Sequence, residues 1–422
     1  MYLSNEGIRL SHKSGLRTIM DDIATTLARG GNTGAYINLS IGNPAAIPQV
    51  EARWNALLRR VGQSDIPASV NSYGPSRGED VLIREIIRYF GLNYGWSLQP
   101  ENIVVGPGSQ FLCYAAGVLF SGPDGRSGAQ RPVILPRLPD YTGYEGLGVP
   151  QQGLIGLAPR IRRTGGRAFR YEMRQDALAE ITDAGLLVAS TPSNPTSQEL
   201  ANSDICAIMD SATRLDATVV LDHAYGQPFP RVAPSTNAPP LHPHVINCFS
   251  LSKAGLPGAR IAFAIGAPER IDTMAAFVSN SVLHASRTSQ NIAAMALKDG
   301  LLDVISATCI APHYKSAAGQ ALCILERCLP RELNWKVHST QGGMFLWLWI
   351  DEPWFDDLEF YQRAKSQGVF VTPGRSFFLS PDKPAPWMRQ CLRLSLNQSP
   401  ALLEEGLQRL AGCLEMQPAH CG

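Results

Sequence analysis

No run of about 18 apolar residues occurs anywhere in this 422-residue chain, so nothing in it predicts a membrane-spanning helix. The opening stretch, MYLSNEGIRLSHKSGL, also lacks the apolar core of a signal peptide. Together these absences predict a cytoplasmic protein. Charge of one sign is missing too. Lys and Arg number 37 against 36 Asp and Glu, a formal net charge of +1. Nothing global draws the chain to nucleic acid or to an anionic membrane, although local sites can still be basic. Cysteine is present but unpaired in pattern. The nine cysteines, at 113, 206, 248, 309, 323, 328, 391, 413 and 421, include no Cys-x-x-Cys and are odd in number. They are expected as reduced, mostly buried thiols, without a zinc site. The eight histidines show no ligand spacing, and His242-Pro-His244 lies in a Pro-rich loop, so no metal is predicted. Internal repeats, a P-loop and a Gly-x-Ser-x-Gly elbow are all absent.

What is there reads as a globular protein of about two domains, 45% hydrophobic and 17% charged. EDVLIREIIRYF sets Leu82, Ile86, Ile87 and Phe90 on one helical face. NIVVG then reads as a short strand and FLCYAAGVLF as a buried helix. RPVILP, GLLVAS, ATVVLD and HVINCFS are further strands, with a helix over SDICAIMDSATRL. Apolar strands alternating with helices argue for a largely parallel α/β sheet. After about residue 305, one helix, a strand pair around Gly342-Gly343 and a last strand over CLRLSLNQ suit a smaller α+β unit. Two Pro-rich stretches, RVAPSTNAPPLHPH and SPDKPAPW, read as surface loops, the second placed to cover a site.

In such a sheet the ligand lies beyond the carboxyl ends of the strands. Polar groups gather at those ends here: Ser109 and Gln110, Asp140 and Tyr141, Asn194, Asp222 and Tyr225, then Ser250 to Lys253. The stretch SLSKAGLPGAR packs Ser250, Ser252, Lys253 and Arg260 around a flexible turn. Arginine with hydroxyls suits a phosphate, and a desolvated lysine becomes a nucleophile able to form a Schiff base. The bland alternative is a solvated lysine in a polar turn. Asp222 is either a turn residue or a buried acid that keeps a proton on a heterocyclic nitrogen, with Tyr225 three residues on. VVGPGSQF offers small residues before a helix, a phosphate-binding arrangement. It is not read as a dinucleotide fingerprint, because the third glycine position is Phe111 and Asp124 lies in a Gly-rich loop. His223 is expected on the opposite face from Asp222.

The set Asn194-Pro195, Asp222-x-x-Tyr225, Ser250-x-Ser252-Lys253 and Arg260 resembles, in order and spacing, the fold-type I pyridoxal-phosphate (PLP) enzymes of the aminotransferase class I/II group. The resemblance runs from about Ser40 to Asn397 and extends to SGLRTIMDD, DHAYGQPFP, GGMFLWLW and VTPGRSFF. It implies an α/β fold with a large domain (46–304) on a mainly parallel seven-stranded sheet. A smaller α+β domain (1–45 and 305–422) would include an N-terminal arm. It implies pyridoxal 5'-phosphate as cofactor, bound covalently by Lys253. Asp222 would protonate the ring nitrogen, and Tyr225 with Asn194 would bond the ring hydroxyl. Ser109, Ser250, Ser252 and Arg260 would bind the phosphate, with Gly108 and Gln110 framing that loop, and Tyr141 would stack on the ring. Tyr73 would reach the phosphate of the neighbouring subunit of a homodimer. Arg393 would grip the substrate carboxylate, with Asn194 and the backbone of Gly42 beside it. The implied reaction moves an amino group between a valine- or alanine-like amino acid and a 2-oxo acid, by ping-pong kinetics. One departure stands out: Ser197 occupies the place where the turn after Asn194-Pro195-Thr196 usually closes with glycine. Serine tolerates positive φ poorly, which predicts a different loop there.

Two rival readings follow. The same cofactor supports β- or γ-elimination, replacement or ring formation, for example on S-adenosylmethionine. An effector-sensing module of a transcription regulator would need a DNA-binding domain, and this near-neutral chain opens almost directly with the arm before the cofactor fold.

Overall fold

The computed structural model describes residues 2–11, 15–29, 36–63, 70–147, 153–340 and 342–415. Residues 1, 12–14 (with Ser14 of SGLRTIMDD), 30–35, 341 and 416–422 of the expected smaller domain, and 64–69 and 148–152 of the larger one, lie outside the described residues. So does Cys421.

Seven strands make the central sheet: β1 (Ile103–Gly106), β2 (Val133–Leu135), β3 (Leu154–Gly156), β4 (Leu186–Ser190), β5 (Thr218–Asp222), β6 (Val245–Ser250) and β7 (Ala262–Ile265). Their order across the sheet is β1-β7-β6-β5-β4-β2-β3. Strands β2 to β6 pair in parallel, while β7 runs antiparallel to both β6 and β1. Every residue of β1, β2, β4, β5, β6 and β7 is buried. Helices cover both faces, which is why these strands read as unbroken apolar runs rather than alternating ones.

The pleat sends neighbouring residues to opposite faces. Val105, Phe249 and Phe263 pack with Leu82, Ile86 and Phe90 of the helix Asp80–Tyr94. Val104, Ile246 and Ala264 pack instead with Leu112 and Ala116 of the helix Ser109–Phe120. Burying each large side chain of this kind contributes about 1.5–3 kcal/mol. The expected helical face over 79–90 forms, with Ile87 only half-buried.

A second, six-stranded sheet runs Thr372–Pro373, Cys391–Ser395, Phe345–Ile350, Trp335–His338, Ala168–Glu172 and Arg160–Gly165. The strand pair around Gly342-Gly343 forms as expected. The hairpin 160–172 was not read from the sequence. Its first strand carries no buried residue, so the apolar signal is absent. Helices Ala311–Cys328, Asp357–Ser366 and Pro400–Glu415 cover one face of this sheet. Through Trp347, Trp349 and Phe169 its other face joins the central sheet's core.

The eight described cysteines are free. Cys113, Cys248, Cys391 and Cys413 are buried, but Cys206 and Cys323 are exposed, so the expectation of mostly buried thiols holds for only half of them. Among the described residues no helix is long and apolar enough to cross a membrane.

Candidate active site

The carboxyl ends of β1, β4, β5 and β6, with the loop after β2, converge on a cavity of about 110 Å³. Its wall contains Ser109, Gln110, Tyr141, Asp222, Tyr225, Ser250, Ser252, Lys253 and Arg260, all expected from the sequence, and Ser190, which was not. Because parallel strands end at one edge of the sheet, residues more than 140 positions apart meet there.

Lys253 lies in the turn that follows β6, and its Nζ donates to the Gly42 carbonyl (2.7 Å). Burial lowers its pKa to about 8, and the charges of Arg393 and Arg260 push the same way, so the free amine is accessible near neutrality. Asp222 closes β5. Its Oδ1 accepts from the Ala224 amide (3.0 Å), and its Oδ2 lies 3.3 Å from the Tyr144 hydroxyl and 4.0 Å from the Cys113 thiol. Burial raises its pKa to about 6. As expected, the next side chain goes elsewhere: His223 pairs with Asn247 (2.8 Å) and stacks on Phe249. Burial lowers its pKa to about 4 and keeps it neutral.

At the other end of the cavity, Gly108 begins the helix Ser109–Phe120 with φ +106 and no side-chain cap. A Cβ at Gly108 would collide with the Arg260 guanidinium, so the arginine lies against a turn that only glycine permits. Ser250 Oγ donates to Ser252 Oγ (3.0 Å). An uncapped helix start, a guanidinium and three serine hydroxyls form a cradle for a dianion. The Gln110 amide donates to the Gly143 carbonyl (3.0 Å), while its Oε1 is buried without a partner.

Asn194 joins the cofactor end to the substrate end. Its Nδ2 donates to the Tyr225 hydroxyl (3.2 Å), and its Oδ1 accepts from Arg393 Nη1 (3.1 Å). Arg393 is 4% exposed. Its guanidinium lies 4.2 Å from the ring centre of Phe345 and 5.1 Å from that of Phe377, and it also donates to the Ser40 carbonyl and to Thr372 Oγ1 (3.2 Å). Its Nε has no partner, and burial lowers its pKa to about 10. A buried guanidinium with a free donor and no carboxylate is a site for one.

Ser40, Thr372, Phe345 and Phe377, which hold Arg393, were missed in the sequence; they are common residue types scattered over 338 positions. Ser197 closes its turn in the left-handed region. It adopts φ +58, and its amide donates to the Ser193 carbonyl (2.7 Å). Room for its side chain comes from Gly343, where a Cβ would strike Ser197 Cβ and Oγ. Tyr73 lies outside the cavity, 84% exposed, with its ring edge-on to His284. SPDKPAPW does not roof the cavity: Asp382 is fastened to Arg174 and to the Ala158 amide, and Trp387 stacks on Tyr171.

The family described as aminotransferase class I and II matches residues 160–410. Valine–pyruvate aminotransferase of Escherichia coli (strain K12) is 31% identical over 98% of both chains. The chain belongs to the class I and II aminotransferases. Among solved structures, a putative amino-acid aminotransferase from Psychrobacter arcticum 273-4 superposes with a TM-score of 0.93 at 26% identity, covering 98% of each chain. The valine–pyruvate aminotransferase of Salmonella typhimurium LT2 gives 0.85 at 30% identity, over 95% of this chain and 98% of that one. This aminotransferase therefore has the fold-type I architecture. It is a pyridoxal-phosphate-dependent transferase that exchanges amino groups between amino acids and 2-oxo acids. The residues present fit that cofactor: an amine, a buried acid and an anion cradle share one cavity.

Proposed function

We propose that the enzyme passes the amino group of a valine- or alanine-like amino acid to a 2-oxo acid in two half-reactions of ping-pong type, using Lys253. One observation carries this reading. The Lys253 amine shares a cavity with a buried carboxylate and an anion cradle, and Asn194 links that cavity to a buried guanidinium with an unpartnered Nε. The similarity to two valine–pyruvate aminotransferases supports the choice of substrate.

Ser109, Ser250, Ser252 and Arg260, with the Gly108 turn and Gln110, hold the cofactor phosphate. Tyr141 covers one face of the ring. Tyr225 and Asn194 would bond the ring hydroxyl, and Asp222 would keep a proton on the ring nitrogen. Bound there, the cofactor supplies an electron sink that makes the substrate's α-proton acidic. Lys253 would hold the cofactor through its amine, and its Nζ, placed by the turn after β6, would move the substrate's α-proton as general base and acid. Its lowered pKa suits that exchange. Arg393 takes the substrate carboxylate in a two-point grip, with Gly42 and Asn194 beside it. No metal has a part in this scheme.

We further propose a cytoplasmic homodimer in which the exposed Tyr73 reaches the partner's phosphate cradle. Residues 46–304 act as the cofactor domain, and 1–45 with 305–422 as the smaller domain. The hairpin 160–172 hydrogen-bonds across that division.

The test is incubation with valine and pyruvate while both products are followed. Alanine and the branched 2-oxo acid are expected in equal amounts. If neither forms, yet S-adenosylmethionine changes the visible spectrum, the substrate reading is wrong and elimination or replacement chemistry takes its place.

A further inference from the structure

Asp140 is a buried carboxylate at the edge of the site, and none of the roles above uses it. It sits in the loop after β2. Its Oδ1 accepts from the Tyr141 amide (2.7 Å) and from the Ser190 hydroxyl, and its Oδ2 accepts from the Ser190 amide (3.1 Å). The contact continues: Ser190 Oγ accepts from the Asn194 amide (3.3 Å), and the Asn194 side chain holds Tyr225 and Arg393. One carboxylate thus ties two segments distant in sequence, the Tyr141 loop and the turn after β4. The Ser193 hydroxyl, donating to the Pro139 carbonyl (3.3 Å), and Arg137, donating to the Gln198 carbonyl (3.1 Å), fasten the same two segments.

Three donors converge on Asp140. An ionised carboxylate can accept all of them, whereas an amide of the same shape would turn an N–H against one. A carboxylate that served only to fill the core would be a costly choice at this depth.

We propose that Asp140 is a positioning residue, which sets the cofactor-stacking ring of Tyr141 and the side chain of Asn194 in one fixed relation through Ser190. The inference rests on the roles proposed above for Tyr141 and Asn194. Asp140 itself touches neither substrate nor cofactor.

The experiment compares holoenzyme of Asp140→Asn, Ser190→Ala and the double variant with wild type. It reads three quantities: the cofactor dissociation constant, the pKa of the cofactor's visible band, and kcat and KM for the amino acid. Asp140→Asn should weaken cofactor binding by about fivefold or more, the scale of one ordinary hydrogen bond. It should also move the band's pKa and raise KM. Ser190→Ala should move the same three readouts in the same direction by less. The double variant should be no worse than Asp140→Asn, because both changes cut one relay. Wild-type affinity, band and KM in Asp140→Asn, with only thermal stability lost, would overturn the proposal. Where Asp140→Asn fails to fold, wild-type values in Ser190→Ala overturn it equally. A Lys253→Ala holoenzyme that kept the visible band would overturn the cofactor roles on which the inference stands, and is a separate failure.

Discussion

Asp222 receives its hydrogen bonds from neutral groups: the Ala224 amide, the Tyr144 phenol and the Cys113 thiol. Its burial has a thermodynamic signature that these bonds only partly offset. Its folded pKa is raised to about 6, above the ordinary carboxylate value of about 3.9. Between those values the folded chain binds more protons than the unfolded one, so stability falls as pH rises through the window. Above pH 6 the cost is complete, on the order of 3 kcal/mol at most. Asp222→Asn removes this cost. The cofactor-free variant should therefore melt higher than wild type at pH 7.5 and equally at pH 4, while losing transamination. A stability difference that does not change with pH would sink this account. Arg393 invites the complementary change. Arg393→Lys keeps the charge but loses the fork, so KM for the amino acid should rise by about ten- to a hundredfold, the worth of a charge-assisted hydrogen bond. An unchanged KM would mean that the substrate carboxylate binds elsewhere. Asp222 was legible in the sequence because it ends an apolar strand, whereas Arg393 was reached only through the resemblance to the family. Asp140 was legible only as one of the polar groups at a strand end. Its purpose depends on Ser190, fifty positions away.

At the scale of elements, the turn that closes on Ser197 and the strand pair at Gly343 have to be understood together. Serine at φ +58 carries a backbone penalty of about 1–2 kcal/mol relative to glycine. The space its side chain fills exists because Gly343, at φ +133, has none. Ser197→Gly should raise the melting temperature, and Gly343→Ala should lower it. In the double variant the collision is gone while the strained φ at 343 remains, so the loss should be only partly recovered. A strictly additive cycle would show that the two positions do not interact. The sequence pointed to Ser197 as a departure but could not point to its partner, which lies just before a strand of the other sheet. Five of the seven central strands were readable as apolar runs, most with polar ends, but β3 and β7 were not read. Nor was the reversed direction of β7 legible, because an apolar run carries no arrow. The hairpin 160–172 was hidden for the opposite reason. RIRRTG pairs through its backbone and leaves its side chains exposed, so pairing left no mark on composition.

At the scale of the whole molecule, Tyr73 stands apart: Gly108 and Asn194 are also missing from the cavity wall but touch Arg260 and Tyr225, which line it, whereas Tyr73 is 84% exposed. Close to it lie the His284 ring and the bond from Arg287 to Ser72, and Leu283 next to His284 is 45% exposed at φ +65. An exposed tyrosine with apolar neighbours in a strained turn suits a face covered by a second copy. If so, each active site draws Lys253 from one chain and Tyr73 from the other, and the two requirements can be separated by mixing. Lys253→Ala and Tyr73→Ala are each expected to be poor catalysts as homodimers. Unfolded together in equal amounts and refolded, they should form mixed dimers in half of all pairings. Every mixed dimer holds one site with a native lysine from one chain and a native tyrosine from the other. Activity should then return to about a quarter of wild type, by the two-fold symmetry of the pairing. No recovery above the sum of the two homodimers would place Tyr73 outside the neighbouring site. Sedimentation of the same mixture would tell whether dimers formed at all.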